Sequence, residues 1–441
     1  MNLPLVKALR IQPTSCVAFV GAGGKTTTMF KVARELTQPV IVTATTHLGA
    51  WQTKLADIHI TATNSTSVKD IEEQLHGVLL VTGEREGDRT KTIKNDLLAS
   101  LHSFCQSNSI PMLIEADGAS QKNIKAWADH EPPIPKFADQ VVNVLGMQGL
   151  GKPLTEETVH RAEIFSKLSG LKIGETITVD SIDKILTHES GGLKNIPKGA
   201  KRCLLLNQAD TSETQSLAQS MKERLLLHFE SIIVASVNND TIHAVHERIA
   251  GIILAAGFAS RFGKAKQVLQ WKGDPFVRVV AKTALRAGLY PIIVVTGARN
   301  EEVESAVHDL DVKIVHNENW GSGQGSSIKA GVESLPTECG GAIFLLADQP
   351  QVKSSVLRAL QEKHAEGLYP VVAPMVLDQR ANPVLFDRIS FDDLKSIEGD
   401  TGGRSIFHKY RVEYLPWHDD GLLLDVDTPE QYQRLISNED I

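Results

Sequence analysis

The 441-residue chain has four cysteines, Cys16, Cys105, Cys203 and Cys339, with no CxxC pair among them. That scarcity excludes a zinc knuckle or a disulfide framework and points to a reducing cytoplasm. Positive charge is not in excess either: 46 Lys and Arg against 53 Asp and Glu give a formal charge of -7, which argues against a general polyanion or nucleic-acid binder, so any phosphate ligand must be held locally. Runs of about eighteen apolar residues are missing, and Met1–Pro13 has no basic stretch leading into an apolar one. Membrane spanning and secretion are therefore not expected. Repeats of 20–50 residues and low-complexity tracts are likewise absent.

What is present is alternation. Apolar runs of strand length at Cys16–Val20, Val40–Thr43, Val78–Val81, Met112–Glu115, Val141–Leu145, Cys203–Leu206 and Ser231–Ala235 are separated by helix-period segments, and the pattern restarts at Gly251–Ala255, Pro291–Thr296, Val312–Val315, Ala342–Ala347 and Val371–Pro374. Such alternation predicts an α/β chain of two domains, each built on a parallel sheet. A polar turn at Asn238–Asp240, followed by a short connecting helix over Thr241–Ile249, places the seam so that residues 1–245 and 246–441 form the two domains.

The second half opens on a strand running into Leu254, Ala255, Ala256 and Gly257, with Arg261 and Lys266 close behind. Glycine permits close backbone approach, amides can face phosphate oxygens, and the two cations suit a triphosphate. A second apolar run ends in Asp348-Gln349-Pro350, at what becomes the carboxyl edge of the sheet, where ligands of open α/β sheets gather. Asp348 there can hold Mg²⁺, and Asp427, ending an expected strand over Leu422–Asp427, is the second candidate metal ligand. Thr428 and Pro429 read as the cap and first residue of a helix, with Gln431 closing a capping box. Loops rich in small polar residues follow at Asn317–Ser327 (with Ser326 the candidate nucleotide contact), Asn382–Phe386 and Gly399–Arg404. Judged singly, each is explained by turn chemistry.

Taken as an ordered set over about Gly251–Leu435, these six motifs resemble the MobA-like nucleotidyltransferases, most closely their molybdenum cofactor cytidylyltransferase branch. The resemblance implies a Rossmann-like fold that transfers CMP from CTP to molybdenum-bearing molybdopterin with release of pyrophosphate. It implies that Leu254, Ala255, Ala256, Gly257, Arg261, Lys266 and Ser326 handle the nucleotide. Arg261, Lys266 and Asp348 become the catalytic set, and Asp348 and Asp427 the Mg²⁺ ligands. Within that family the Leu-Ala-Ala-Gly form accompanies cytidine, which favours CTP. No covalent nucleophile is needed, because the acceptor's phosphate can attack the α-phosphorus while positioning and electrostatics supply the rate.

In the first half, the strand Cys16–Val20 enters Gly21-Ala22-Gly23-Gly24-Lys25-Thr26-Thr27-Thr28 and then a helix from Met29 to Leu36. Strand, glycine loop, Lys-Thr and helix form the context of a phosphate-binding loop, in which Gly21, Gly23, Gly24, Lys25, Thr26 and Thr27 surround phosphates and the Thr26 hydroxyl faces Mg²⁺. The loop is a short GxxGKT variant, since Phe19 stands where the full Walker pattern has glycine. Asp117 is the chosen Walker-B-like metal carboxylate, with Glu115 its rival. Asn207 and Asp210 sit as in the base-reading element of GTPases, with Gln208 in place of Lys. The motifs at Gly21–Thr28, Thr43–His47, Glu115–Ala119, Asp129–Pro135, Leu150–Leu154 and Val159–Glu163 resemble the YqeC family, accessory proteins of molybdenum hydroxylases. The phosphate-loop context points to a second nucleotide, ATP or GTP, in this half, while the resemblance names a relative without naming a reaction and implies a molybdenum hydroxylase client. Two alternatives stay open: a guanylyl, sugar or polyol phosphate nucleotidyltransferase, and a non-catalytic nucleotide-gated cofactor carrier.

Overall fold

Short aliphatic runs bounded by glycine and polar turns set the architecture. The computed structural model describes residues 3–257, 266–426 and 428–437, and the chain forms two units, Met1–His246 and Glu247–Ile441.

The sheet of the first unit comprises β1 (Cys16–Gly21), β2 (Val40–Ala44), β3 (Ile58–Thr61), β4 (Val78–Thr82), β5 (Met112–Glu115), β6 (Gln140–Gly146), β7 (Lys201–Asn207) and β8 (Ser231–Ser236). They lie parallel in the order β3-β4-β2-β5-β1-β6-β7-β8. Every residue of β1, β2, β4, β5 and β6 is buried, as a parallel sheet covered on both faces requires. Leu79, Leu101 and Ile114 share one side cluster, and Phe165, Leu204, Met221 and Ile232 another. Because β1 is flanked by β5 and β6, its carboxyl end opens at a reversal of strand order, the usual ligand position in such sheets. The helix α1 (Lys25–Glu35) begins there, four residues before the expected start at Met29, because Gly24 turns the chain at φ 118° and frees Lys25 to enter the helix.

In the second unit, β9 (Thr241–Ala255) is followed by β10 (Ile292–Thr296), β11 (Lys313–His316), β12 (Cys339–Leu346), β13 (Val371–Val376), β14 (Val384–Asp387) and β15 (Val412–Pro416). The order is β11-β10-β9-β12-β14-β13-β15. The first four run parallel, β14 is antiparallel to both neighbours, and β13 and β15 are parallel. Ile253, Val280, Leu345 and Leu385 fill one face and Ile252, Ile293, Phe344 and Phe386 the other.

Three expectations are corrected here. Thr241–Ile249 is not a helix but the first part of β9, since Ile242, Val245 and Ile249 are buried along an extended chain. Asn382–Phe386 is not only a loop: Val384, Leu385 and Phe386 are buried and form β14. The strand expected over Leu422–Asp427 does not form across the described residues 422–426. Its start is a 3-10 turn, Asp420–Leu423, and Gln351 Nε2 donates to the carbonyls of Gly421 (3.1 Å) and Leu424 (2.7 Å), which a ladder would otherwise use. The helix Pro429–Ser437 is capped as its sequence predicts, the amide of Thr428 donating to Gln431 Oε1 at 2.9 Å and that of Gln431 to Thr428 Oγ1 at 3.3 Å. No described helix is long and apolar enough to cross a membrane.

His246 is 9% exposed, and burial pushes its imidazole down to about 4, with Lys222 adding to the effect. The unfolded chain takes up this proton near pH 6.5, whereas the folded chain resists it until about pH 4. Stability linked to this group is thus complete above pH 6.5 and lost as pH falls toward 4. In urea titrations at pH 7 and pH 4.5, His246→Leu is expected to lose about 2 kcal/mol less between the two pH values than the parent chain; equal losses would show that His246 does not carry the effect.

Candidate functional site

The parallel register of β9 and β12 pairs Leu254 with Leu346, so Ala256–Gly257 and Ala347–Asp348 leave the sheet side by side. Between them and the Trp320–Gln324 turn lies a cleft of about 570 Å³, a size suited to a nucleotide. Leu254, Ala256 and Gly257 line it, as does Asp348. Lys266 Nζ stands 3.6 Å from Asp348 Oδ2, with the carboxylate about one-third exposed. Asp348 thus lines the cleft with Lys266 beside it, the lysine itself not being part of the lining. Arg261 and Asp427, the two other members expected here, lie outside the described residues.

Two expected contacts are placed elsewhere. Ala255 alternates away from the cleft into the core with Ile253, Val277 and Val280. Ser326 does not line the cleft either, because its hydroxyl bonds to the carbonyls of Asn319 and Gly323, both at 2.9 Å, and accepts from Asn317 Nδ2 at 2.8 Å. Its neighbour Ser327 does line it. The sequence reading also did not select Gln267, Trp320, Gln324 and Asp400 as site residues, though all four border the cleft. The signal was available for three of them, which stand in the polar loops Asn317–Ser327 and Gly399–Arg404. Those loops meet: Gly325 N donates to Gly399 O at 3.0 Å, and a Cβ on Gly323 would lie 2.4 Å from the Gly399 backbone. Gly323 holds φ 108°, so both conformation and space demand glycine.

A second cavity of about 600 Å³ adjoins the first and shares Leu254, Gln324, Leu346 and Asp400 with it. Asn382, Thr401 and Arg404 complete its polar lining, and Phe344 and Phe386 form its apolar floor. Behind the cleft, Gln349 Nε2 donates to Asp425 Oδ1 at 2.8 Å and ties the Asp348 turn to the segment approaching position 427.

In the first unit, Gly21, Gly23 and Gly24 all have positive φ, and a Cβ on Gly23 would lie 2.3 Å from the amide of Gly146. Lys25 folds back over this loop, donating to Gly21 O at 2.9 Å and lying 3.1 Å from Asp117 and 4.0 Å from Glu115. Burial alone would push the ammonium down, but the two carboxylates outweigh it and hold Lys25 above the ordinary lysine value. Thr27 is exposed.

Both acids sit at the loop. Asp117 is fully buried: Gly21 N and Trp127 Nε1 donate to its Oδ2 at 2.9 and 2.8 Å and Lys125 lies 3.2 Å from the same oxygen, while Oδ1 has Lys25 at 3.1 Å and accepts no hydrogen bond. Glu115 instead accepts from Thr26 Oγ1 at 2.6 Å, the arrangement expected of a carboxylate beside a loop threonine. Burial raises the Glu115 pKa, partly offset by Lys25 and Thr26. Asn207 does not present its amide to a ligand. Its Nδ2 donates to Gly23 O at 2.8 Å and its Oδ1 accepts from Val237 N at 3.0 Å, so it clamps the glycine loop. Asp210 is exposed and accepts from Gln148 Nε2 at 2.9 Å.

A mixed α/β unit with a glycine turn and a carboxylate at the carboxyl ends of two adjacent parallel strands, and a lysine beside the carboxylate, has the makings of a nucleotidyltransferase, and comparison with known proteins agrees. Residues 251–414 match the MobA-like NTP transferase domain and residues 17–163 match the YqeC protein family. The chain belongs to both families, one in each half, and its second half is a nucleotidyltransferase domain. It is 30% identical over 212 residues to the uncharacterized protein YqeC of Escherichia coli (strain K12), covering 46% of this chain and 79% of that one. Against nicotine blue oxidoreductase of Paenarthrobacter nicotinovorans it is 30% identical over 197 residues, 43% of this chain and 96% of that one. Molybdenum cofactor cytidylyltransferase of Escherichia coli (strain K12) is 27% identical over 186 residues, 41% of this chain and 92% of the relative.

Because Asn207 satisfies two backbone groups from inside the core, Asn207→Leu is expected to cost about 1–3 kcal/mol, the range for stranded buried polar groups. A urea melt of the full chain measures it; an unchanged midpoint would remove the clamp.

Proposed function

We propose that the second unit transfers CMP from CTP to molybdopterin bearing molybdenum, releasing pyrophosphate, and that the first unit binds a second nucleotide in service of a molybdenum hydroxylase client. The observation that carries the reading is the pair of adjoining cavities at the ends of β9 and β12. One is lined by Ala256, Gly257 and Asp348, with Lys266 3.6 Å from that carboxylate; the other presents Arg404 beside an aromatic floor. The first suits a nucleoside triphosphate, and the second a flat heterocycle carrying a phosphate, since guanidinium groups bind phosphate in two-point fashion. The molybdenum cofactor cytidylyltransferase among the relatives supports the choice of nucleotide and acceptor.

Asp348, a partly exposed carboxylate facing the cleft, fits a divalent cation such as Mg²⁺. Bound there, the ion would offset charge on the triphosphate. Lys266, beside Asp348, neutralises the phosphates, and Arg261 and Asp427 join this set by their place in the motifs. The polar loops hold the nucleotide so that the acceptor phosphate in the neighbouring cavity meets the α-phosphorus in line, and positioning with fixed charge supplies the rate.

The glycine loop of the first unit supports nucleotide binding by the residues 21–27. Its Lys25 has carboxylate partners that an incoming phosphate must replace, and its Thr26–Glu115 pair is the place for a cation. Joining the two domains, residues 1–245 and 246–441, in one chain raises the effective concentration of each for the other's labile ligand.

Pyrophosphate release from CTP, GTP, ATP and UTP, each with molybdenum-loaded molybdopterin, tests the transferase reading. CTP is expected to be preferred; preference for GTP, or turnover only with sugar or polyol phosphates, would reassign the substrate. Asp348→Asn is expected to lower kcat on the order of a hundredfold with CTP binding retained, whereas a parent chain that binds CTP but turns over no acceptor would mark a carrier. For the first unit, Lys25→Ala is expected to weaken binding of ATP or GTP at least tenfold in a fluorescent-analogue titration; unchanged affinity would remove the phosphate-loop assignment.

A further inference from the structure

At the opposite end of the second unit's sheet, roughly 25 Å along β12 from Asp348, a second group of metal-binding side chains converges. The helix Ser354–Gly367 supplies His364, β14 ends in Asp387, and β9 supplies Glu247. One ligand atom from each lies within 4.8 Å of the others. His364 is 1% exposed and Asp387 0%, and His364 Nε2 stands 2.7 Å from Asp387 Oδ2.

The surroundings are shaped for this group. A Cβ on Gly340 would lie 2.3 Å from Glu247 Oε2, so only glycine at the start of β12 admits that carboxylate. The other oxygen of Asp387 accepts from the amide of Ile389 at 3.0 Å, which fixes the orientation of the carboxylate from behind, as outer hydrogen bonds do for metal ligands. A histidine–aspartate hydrogen bond needs only two groups. The third, drawn to the same point through a glycine gap, is what a coordination sphere requires.

We propose that Glu247, His364 and Asp387 form a buried site for a divalent transition-metal ion, with Zn²⁺ the best-matched occupant. One imidazole nitrogen and two carboxylate oxygens at about 2.0–2.2 Å from a common ion stand roughly 3–4 Å apart, so binding requires the 2.7 Å His364–Asp387 pair to open, while the three ligand atoms already lie within 4.8 Å of one another. Mg²⁺ prefers oxygen ligands and retained waters, so a nitrogen-containing buried set disfavours it. The ion links β9, β14 and the helix Ser354–Gly367 away from the nucleotide cleft, which makes its role one of holding the fold.

The test uses the full chain stripped with chelator, then titrated with ZnCl₂ in the presence of millimolar MgCl₂, with Zn²⁺ uptake and the thermal midpoint as readouts. The expected result is one Zn²⁺ per chain that Mg²⁺ does not displace, a midpoint raised by Zn²⁺ and lowered again by chelator, and X-ray absorption showing an imidazole in a nitrogen and oxygen shell. Glu247→Gln and His364→Gln are expected to weaken this uptake at least tenfold, and Asp348→Asn to leave it intact. Should His364→Gln not fold, Glu247→Gln and the absorption spectrum of the parent chain decide the matter. Uptake that survives Glu247→Gln, a shell without imidazole, or loss of all tight Zn²⁺ in Asp348→Asn would overturn the proposal.

Discussion

The parallel pairing of β9 with β12 is the constraint on which the nucleotidyltransferase unit depends. With Leu254 opposite Leu346, both strands end at the same level, and the turns that follow deliver a glycine backbone and an aspartate to one cleft. A slip of one residue would turn Leu254 and Ala256 into the core and Ala255 outward, because side chains alternate along a strand. Burial on both faces of β12 makes that slip costly: seven of its eight residues are buried, so the register of the site is held by the same contacts that hold the core.

The two halves handle charge in opposite ways. In the second unit, Lys266 and Asp348 sit 3.6 Å apart, with the carboxylate about one-third exposed and the lysine less so. The first unit instead closes its charges on one another: Lys25, Asp117, Lys125, Glu131 and Arg161 alternate in sign through close pairs within a buried network. Burial would drive Glu131 up, yet Arg161 and Lys125 hold it down at about 2, and burial lowers Lys125 against the pull of Asp117 and Glu131. Lys25 is thus already paired without a ligand, so any phosphate reaching it must offer more than the carboxylates it replaces.

Much of the fold was legible in the sequence because parallel strands are buried on both faces and read as continuous aliphatic runs. Cys16–Val20, Met112–Glu115 and Ala342–Ala347 are of that kind, and each coincides with a strand to within a residue or a few. The elements misread are those whose state depends on distant partners. Thr241–Ile249 carries polar residues that fit a helix as readily as a strand, Val384–Asp387 hides within a short loop-like motif, and the carbonyls of Gly421 and Leu424 are taken by Gln351, some seventy residues earlier.

By itself the sequence determined the families, the two glycine-bearing turns and the residue types of the site, because strand-to-turn transitions and charged loop residues are local patterns with local physical causes. Tertiary structure decided which neighbours the polar side chains of each site meet. Ser327 rather than Ser326 lines the cleft, Glu115 rather than Asp117 meets Thr26, and Asn207 is spent on the backbone of Gly23 and Val237. The Thr26–Glu115 and Asn207 bonds join segments far apart along the chain, whereas Ser326 is held by bonds within its own loop, and residue type alone discloses neither.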